Sequence, residues 1–527
     1  MKSWVEVRPG AYHDSVTLMR VSRRLTGRAG VADAMAAMAT ELNREVLEQM
    51  GFEVPAGAGP GDLVVALRAE DRAFDEARHA LDDLLHEAAH PAPASGPDGW
   101  GAQEPARTTA AAAARVGASE ASIVLLSVPG PHVFPEAMDA LDAGLNVMIF
   151  SDNVPLDQEI ELKETAARRG LIVLGPDCGT AVIGGAGLGF ANAVDPGPVG
   201  MVAASGTGAQ QLMCLLDAAG VGVSHVLGVG GRDLSRQVSG RSSLAALAAL
   251  DADPATEVIL MVSKPPAPRV ADLIREAARR LDTPVIFALP GPGDGDRPGE
   301  YPGERRDLTR AAEETLERLG RPVPQWPSWP ATAPRRGISR GGTTPHLRGL
   351  FAGGTLRDEA EAVVGDVLGW DLAAHGHSLV DFGDDTYTRG RAHPMIDPTL
   401  RLAALAEQAA DPGCGVLLLD VVLGYGAEPD PAAALAPAIE KALRDRDDLA
   451  AVVSLCGTRA DPQGREQQAN ALYRAGATVF LSNAAAARHA ASLVQAGDDA
   501  DAQAARADAQ TAWADAQTAR NASRGAT

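Results

Sequence analysis

Apolar and polar positions along the chain follow two alternating periods. Short unbroken apolar runs mark buried strands, and stretches of helical period separate them. Over 108–196 the strands are ASIVLLSVP, LNVMIFSD and LIVLGPD, with helices in FPEAMDALDAG (Pro135 near its start, Gly144 at its end) and LDQEIELKETAARRG. Over 197–322 the pattern runs PVGMVAASGTG, AQQLMCLLDAAG, VSHVLGVGGRDL, EVILMVSKPP, a helix over 268–281, then PVIFALPG. Over 346–497 it runs LRGLFAGGTLRDEAEAVV, SLVDFGDD, GVLLLDVVLGYG, LAAVVSLCG and TVFLSN. Strand–helix alternation with short connections predicts α/β architecture with parallel sheets: one Rossmann-like block and two flavodoxin-like blocks.

Residues 1–90 read as a smaller α/β domain. SVTLMRVS and DLVVALRAE are its expected strands; 31–51, ending at Gly51, and 72–90 are its expected helices. The Pro/Gly/Ala-rich stretch 91–106 reads as a loop, and 322–345 as an interdomain linker. The Ala/Asp/Gln-rich tail, 498–527, lacks a hydrophobic face and reads as frayed helix or disorder.

A weak internal repeat runs through the two flavodoxin-like blocks. Each places a small Gly-Thr turn between its first strand and first helix, SGTGAQQLMCLL in one and GGTLRDEAEAVV in the other. Each also has a glycine-bearing turn after its second strand, GVGGRDL and DFGDDTY.

Composition narrows the partners. With 527 residues the chain is long enough for three or four domains, and aromatic residues are only 4%, so its cores must be aliphatic. A formal net charge of −22 argues against nucleic acid or an anionic membrane surface, while leaving room for a small anionic ligand. Cys178, Cys214, Cys414 and Cys456 form no CxxC pair. Together with an N-terminus lacking an apolar signal core and no uncharged membrane-length stretch, this predicts a cytoplasmic protein.

The SGTG turn, Ser205, Gly206, Thr207 and Gly208, has two readings. One is a helix capped by a hydroxyl. The other is an anion cradle built from free backbone N–H groups, glycines that permit close approach and hydroxyl donors. The matching turn at Gly353, Gly354 and Thr355 favours the second, because two facing helix N-termini can hold one phosphoryl group. Gly230, Gly231 and Arg232 form either a phosphate clamp or a plain turn with a local Arg–Asp pair. Lys264 lies at a strand's C-terminal end, where α/β ligands bind. In DFGDDTYTRGRAHPMID, Arg389 and Arg391 suit a dianionic substrate, His393 suits acid–base work, and Asp384 and Asp385 are weak Mg²⁺ candidates; the alternative is a solvated loop of surface pairs. Cys178 reads as a packed turn residue rather than a nucleophile.

The stretches GLNVMIFSDNVPLDQEIELK, LGPDCGTAVIGGAGLGFANAV, ASGTGAQQ, GVGGRDLS, VSKPP, GDDTYTRGRAHPMIDPTLR and LLLDVVLGYGAEPDP resemble the FdrA family, over about residues 11–490. That family is similar to succinyl-CoA synthetase and its acyl-CoA synthetase relatives. The resemblance implies a CoA-binding-type Rossmann domain over 108–196 and two succinyl-CoA-synthetase-type ligase domains over 197–322 and 346–497. It implies an acyl-phosphate-type species at SGTG, with CoA and Mg²⁺ as cofactors and partner subunits encoded nearby. It also implies an alternative, one subunit of an oxamate carbamoyltransferase in allantoin catabolism; a non-catalytic scaffold is a third reading. Two departures bear on the chemistry. No histidine lies between His225 and His346, where the synthetase α subunits carry their phosphorylated histidine. Neither a Walker A motif, an ATP-grasp-sized segment nor a Gly-rich CoA fingerprint is evident.

Overall fold

The computed structural model describes residues 1–11, 13, 15–55, 57–89, 106–116, 123–290, 304–305, 307–330, 345–369, 371–388 and 391–495. Arg389 and the tail 498–527 therefore lie outside the described residues, as do most of the loop 91–106 and part of the linker 322–345. The chain divides into two compact units, Met1–Leu145 with Asp385–Ala392, and Asn146–Asp384 with His393–Thr527.

The smaller unit opens with β1 (Lys2–Arg8), α1 (Ser15–Thr26), β2 (Val31–Met38), α2 (Glu41–Gln49), β3 (Leu63–Ala69) and α3 (Asp71–Ala89). The strands form an antiparallel sheet in the order β1-β3-β2. Two expectations are corrected here. SVTLMRVS is helical, because Leu18, Val21 and Leu25 fall at i, i+3 and i+7 and are buried together. The Ala-rich start of 31–51 is a strand, despite alanine's helix propensity, and only its end is helical. Ala34, Ala36 and Met38 enter one core and Met35 and Ala39 the other, the period-2 pattern of a strand held between two layers. After the loop come α4 (Thr109–Val116), β4 (Ile123–Leu126) and α5 (Val133–Asp142); Thr109 donates its N–H and hydroxyl to Glu136 Oε2 at 2.8 and 2.5 Å.

The larger unit begins with β5 (Asn146–Ile149), α6 (Leu156–Arg168) and β6 (Val173–Leu174). Next come β7 (Thr180–Ile183), β8 (Ala186–Gly189), β9 (Pro196–Ala203), α7 (Gly206–Ala218), β10 (Val223–Gly228), α8 (Arg241–Asp251), β11 (Val258–Val262), α9 (Pro268–Ala278), β12 (Val285–Ala288), β13 (Glu304–Arg305) and α10 (Leu308–Arg318). They build a 7-stranded sheet in the order β13-β12-β11-β9-β10-β7-β8. The hairpin β7–β8, which sequence grouping puts at the end of the Rossmann-like block, pairs antiparallel with β10 and so extends this sheet.

A second sheet follows from β14 (Ser328–Trp329), β15 (His346–Phe351), α11 (Gly354–Leu368) and β16 (Ser378–Asp381). The single turn α12 (Asp385–Thr388) belongs to the smaller unit; then come α13 (Thr399–Ala410), β17 (Cys414–Val422), α14 (Pro431–Asp445), β18 (Ala450–Cys456), α15 (Arg465–Arg474) and β19 (Thr478–Phe480). This 6-stranded sheet has the order β14-β19-β18-β17-β15-β16. Its edge strand β14 comes from the stretch expected to be linker and runs antiparallel to β19.

Numbered within each lobe, the parallel strands of both sheets follow the flavodoxin-like order 2-1-3-4-5. One aliphatic core joins the lobes. Met201 and Ala203 of β9, Leu212 and Leu215 of α7, Phe351 of β15, Leu356 and Ala360 of α11, and Ala487 and Ala491 of the helical stretch 483–495 all belong to it. Between the sheets, α7 is buried throughout from Gly208 to Leu216, which explains its weak amphipathicity. Its two glutamines are spent on backbone carbonyls: Gln210 donates to Phe190 O at 2.5 Å and Gln211 to Leu481 O at 2.9 Å. All four cysteines are buried thiols, and Cys214 of α7 meets Cys456 of β18 at 3.6 Å between sulfurs.

Candidate functional site

In an open α/β sheet, ligands bind beyond the strands' C-terminal ends, at the point where strand order reverses. Here that point lies between β9 and β11 in one lobe and between β15 and β17 in the other. Helices α7 and α11 start there, and their N-termini meet. Ser205, the N-cap of α7, accepts the Gly208 N–H at 3.0 Å and hydrogen-bonds Thr355 of α11 at 2.5 Å between hydroxyl oxygens. Reciprocally, Thr207 of α7 packs on Gly353, the N-cap of α11, so closely that a Cβ there would lie 2.9 Å from the Thr207 methyl. Each cap thus touches the second helical residue of the other helix. Ser205, Gly208, Gly353 and Thr355 are buried, whereas Gly206, Thr207 and Gly354 remain partly open and form the rim. The first N–H groups of both helices have no partner within their own helix.

Carboxylates crowd the α11 side of this rim. Asp420, fully buried on β17, accepts the N–H groups of Ala352 and Gly353 at 2.7 and 2.8 Å. Its counter-ion is Arg401 of α13, 2.9 Å away, which also donates to Leu350 O at 3.0 Å. Burial pushes the Asp420 carboxyl up, and Arg401 and the two N–H groups oppose that. Asp381, at the end of β16, accepts the Gly383 N–H through Oδ1 at 2.8 Å. A Cβ on Gly354 would lie 2.5 Å from Asp381 Oδ2 and 3.3 Å from Lys264 Nζ. Burial raises the Asp381 carboxyl above its usual range, nearby Asp420 adds to this, and Lys264 and Arg357 work against it. Lys264 leaves the end of β11 half exposed and pairs with Asp358 of α11 at 3.4 Å.

His393 lies beside the same turn: a Cβ on Gly383 would sit 2.7 Å from its Nε2 and 3.0 Å from Asp381 Oδ1. Burial, reinforced by Arg401, depresses its pKa to about 4, so the ring is neutral at physiological pH. Its Nδ1 accepts the Met395 N–H at 3.2 Å, which leaves the proton on Nε2.

The structure therefore gathers Gly354, Lys264 and, across the Gly383 turn, His393 around Asp381, with Thr207 beside them on Gly353, whereas Gly206 faces Thr180. It uses other predicted residues elsewhere. Gly230 has φ +86, and a Cβ there would lie 2.2 Å from Pro176 O; its glycine serves close packing of the LGPDCG turn. Gly231 opens no nearer contact than Asp177, at 3.8 Å. Arg232 pairs with Glu159 at 2.9 Å and donates to Val154 O at 2.8 Å, both through Nη2. The neighbouring Asp233 joins Lys163, 2.8 Å away and itself 2.9 Å from Glu159, in a buried network that ties α6 beneath α8. Cys178 is buried, and burial pushes its thiol up to about 12. Asp384 is exposed in the larger unit; Asp385 and Arg391 are exposed in the smaller one. Among the described residues no cluster of three or more His, Cys, Asp or Glu could hold a metal ion.

The donor set also bears on CoA. At the end of β6 a Cβ on Gly230 would meet Pro176 O, and the nearby Arg232 pairs with Glu159. That turn is shaped by close backbone packing, and no step is routed through CoA.

Sequence reasoning missed Asp420, Arg401 and Asp358. Asp420 did leave a signal: it is a lone charge inside the apolar run GVLLLDVV, and a buried charge must be paired. Arg401 left none, since nothing in its helix foretells a partner on another strand.

Comparison with known proteins places this architecture. The chain is 36% identical over 523 residues to the uncharacterized protein YahF of Escherichia coli (strain K12), covering 94% of this chain and 99% of YahF. It belongs to the YahF family. Residues 350–493 match the CoA-ligase family model, and residues 1–99 match that of the AllF, heavy metal-associated domain. The chain is 27% identical over 177 residues to the succinate–CoA ligase [ADP-forming] subunit alpha 2 of Archaeoglobus fulgidus, spanning 60% of that subunit and 33% of itself. It is 28% identical over 184 residues to the malate–CoA ligase subunit alpha of Methylorubrum extorquens, spanning 61% of that subunit and 33% of itself. These matches make this YahF-family chain a member of the CoA-ligase superfamily, with its CoA-ligase domain in the second lobe. The dinucleotide forming acetyl-coenzyme A synthetase 1 of Ca. Korarchaeum cryptofilum superposes over 73% of this chain and 85% of its own, at 16% identity and a TM-score of 0.29, too loose to carry an argument. Residues 1–177 contain no cysteine, so the heavy metal-associated segment offers no thiolate, the donor that soft metals prefer. Among the described residues no helix is long and apolar enough to cross a membrane.

Proposed function

We propose that this chain is a CoA-ligase-type enzyme subunit that binds a phosphate or acyl-phosphate group at the rim where α7 and α11 meet. The reciprocal contact of the two helix N-termini, Ser205 with Thr355 and Thr207 with Gly353, carries this reading. It aims two helix dipoles and their free N–H groups at one place. The Gly206 and Thr207 N–H groups and Lys264 Nζ hold the anion. Such preorganised donors stabilise negative charge that develops on a transferring phosphoryl or acyl oxygen. His393 Nε2–H and Asp381 stand at the edge of the rim, where a proton can be given or taken. The reading includes a partner subunit for nucleotide activation, since the sequence contains no GxxxxGK[ST] motif.

The test is phosphate and acetyl phosphate binding by calorimetry, in the native chain and in Thr207→Asp. The new carboxylate would lie at the helix end and displace the ligand's charge. Binding is expected to vanish while the unfolding temperature holds. An anion that binds Thr207→Asp as tightly as the native chain sinks the reading.

A further inference from the structure

The rim already contains an anion of its own. Asp381 Oδ2 stands against Gly354, the first residue of α11, with Lys264 Nζ on the same glycine. A ligand anion reaching the α11 end would lie within a few ångströms of this carboxylate, and two like charges at that distance do not both stay ionised. The surroundings restrict the ways out. Asp381 Oδ1 is held by the Gly383 N–H. The other charged groups facing it are Asp420 from β17, Lys264 from the end of β11, Arg357 and Asp358 from α11, and Arg401 from α13. Asp420 is committed to Ala352, Gly353 and Arg401, and Asp358 shares both Lys264 and Arg357, the latter at 3.0 Å. Asp384 follows on the same turn, its N–H on Asp381 O, and His393 beside it is neutral throughout the physiological range and supplies no compensating charge.

We propose that Asp381 makes anion binding at this rim proton-coupled: a dianion enters together with one proton, which Asp381 takes up. Protonated Asp381 then donates a hydrogen bond to the bound oxygen instead of repelling it. Ionised Asp381 leaves the empty rim with a carboxylate that Lys264, paired with Asp358, balances through space. This rests on the anion-site reading above and adds what regulates that site. Burial raises the Asp381 carboxyl, in the same direction as proton uptake.

Calorimetry with sulfate, a dianion that does not titrate near neutrality, tests this on the full chain. Titrations in buffers of different ionisation enthalpy report protons taken up per anion, and inorganic phosphate serves as a second probe. Uptake approaching one proton is expected, with affinity falling by up to about tenfold per pH unit on the alkaline side. Asp381→Asn should lose the proton uptake and bind sulfate roughly tenfold more tightly at alkaline pH. Asp381→Ala, which has no amide to mimic a protonated carboxyl, should lose the uptake as well. Sulfate binding without proton uptake, or unchanged uptake in both variants, overturns the inference and leaves the anion site standing. No binding of sulfate or phosphate by the native chain at any pH overturns the site and the inference together.

Discussion

The two helix N-termini at the rim share a sequence pattern and differ in charge. In α7 the cap is Ser205 and the first turn carries no acidic residue. In α11 the cap is Gly353, and Asp420 and Asp381 are supplied from other strands. The contrast continues inward. Gln210 and Gln211 of α7 correspond in the repeat to Asp358 and Glu359 of α11. Gln211 donates to Leu481 O, whereas Glu359, equally buried, accepts from Leu308 N–H and Asn483. One helix end is thus neutral and open to an outside anion, while the other is already balanced by internal carboxylates. A repeat in sequence does not make two equivalent sites; each end's charge comes from residues outside the repeated turn.

Removing the internal anion should break this comparison most severely. Asp420→Ala strips Ala352 and Gly353 of their acceptor and leaves Arg401 buried without its counter-ion. A loss of about 3–5 kcal/mol in urea unfolding is expected, and a loss below 1 kcal/mol would show that Asp420 does not hold the α11 end.

Making α11 resemble α7 sharpens the comparison through pH. Burial, with Asp307 adding repulsion, raises the Glu359 carboxyl to about 8, while Asn483 and the Leu308 N–H oppose the shift. A raised carboxyl means the folded state binds the proton more tightly than the unfolded one. The stability Glu359 contributes is therefore present below its unfolded pKa of about 4.5 and is lost as pH rises toward 8. Glu359→Gln should flatten that part of the stability–pH profile, each unit of pKa separation being worth about 1.4 kcal/mol. An identical profile in the variant would rule out a raised carboxyl at this position.

The smallest expected effect concerns the α7 cap. Ser205→Ala removes the acceptor for the Gly208 N–H and the partner of the Thr355 hydroxyl. A cost of about 1 kcal/mol is expected in thermal or urea unfolding. No measurable change would mean that the two helix ends are held by packing alone.

Much of this was legible in the sequence. The apolar runs located the strands of the larger unit, and the G-T turns located the starts of α7 and α11, because unbroken aliphatic runs and small capping residues act locally. Reading failed at SVTLMRVS and at the alanines of 31–38. There the β-branched and alanine propensities pointed one way; burial of one face of α1, and of β2 between two layers, decided the other. Gly230 and Arg232 looked like a phosphate clamp because a glycine for close packing and a glycine for a ligand are written the same way. The tertiary structure sets Pro176 O against Gly230 and Glu159 against Arg232, contacts the sequence does not announce.

The sequence by itself determined the strand–helix alternation, the aliphatic cores, the repeated turns and the lone charge inside GVLLLDVV. These follow from periodicity and from the cost of burying polar groups. Only the tertiary structure decided that the two turns face each other, that Thr207 rests on Gly353, and that Asp381, Lys264 and His393 converge on one of them. Such contacts join residues far apart in sequence, and the packing of two sheets about one core, not any local preference, brings them together.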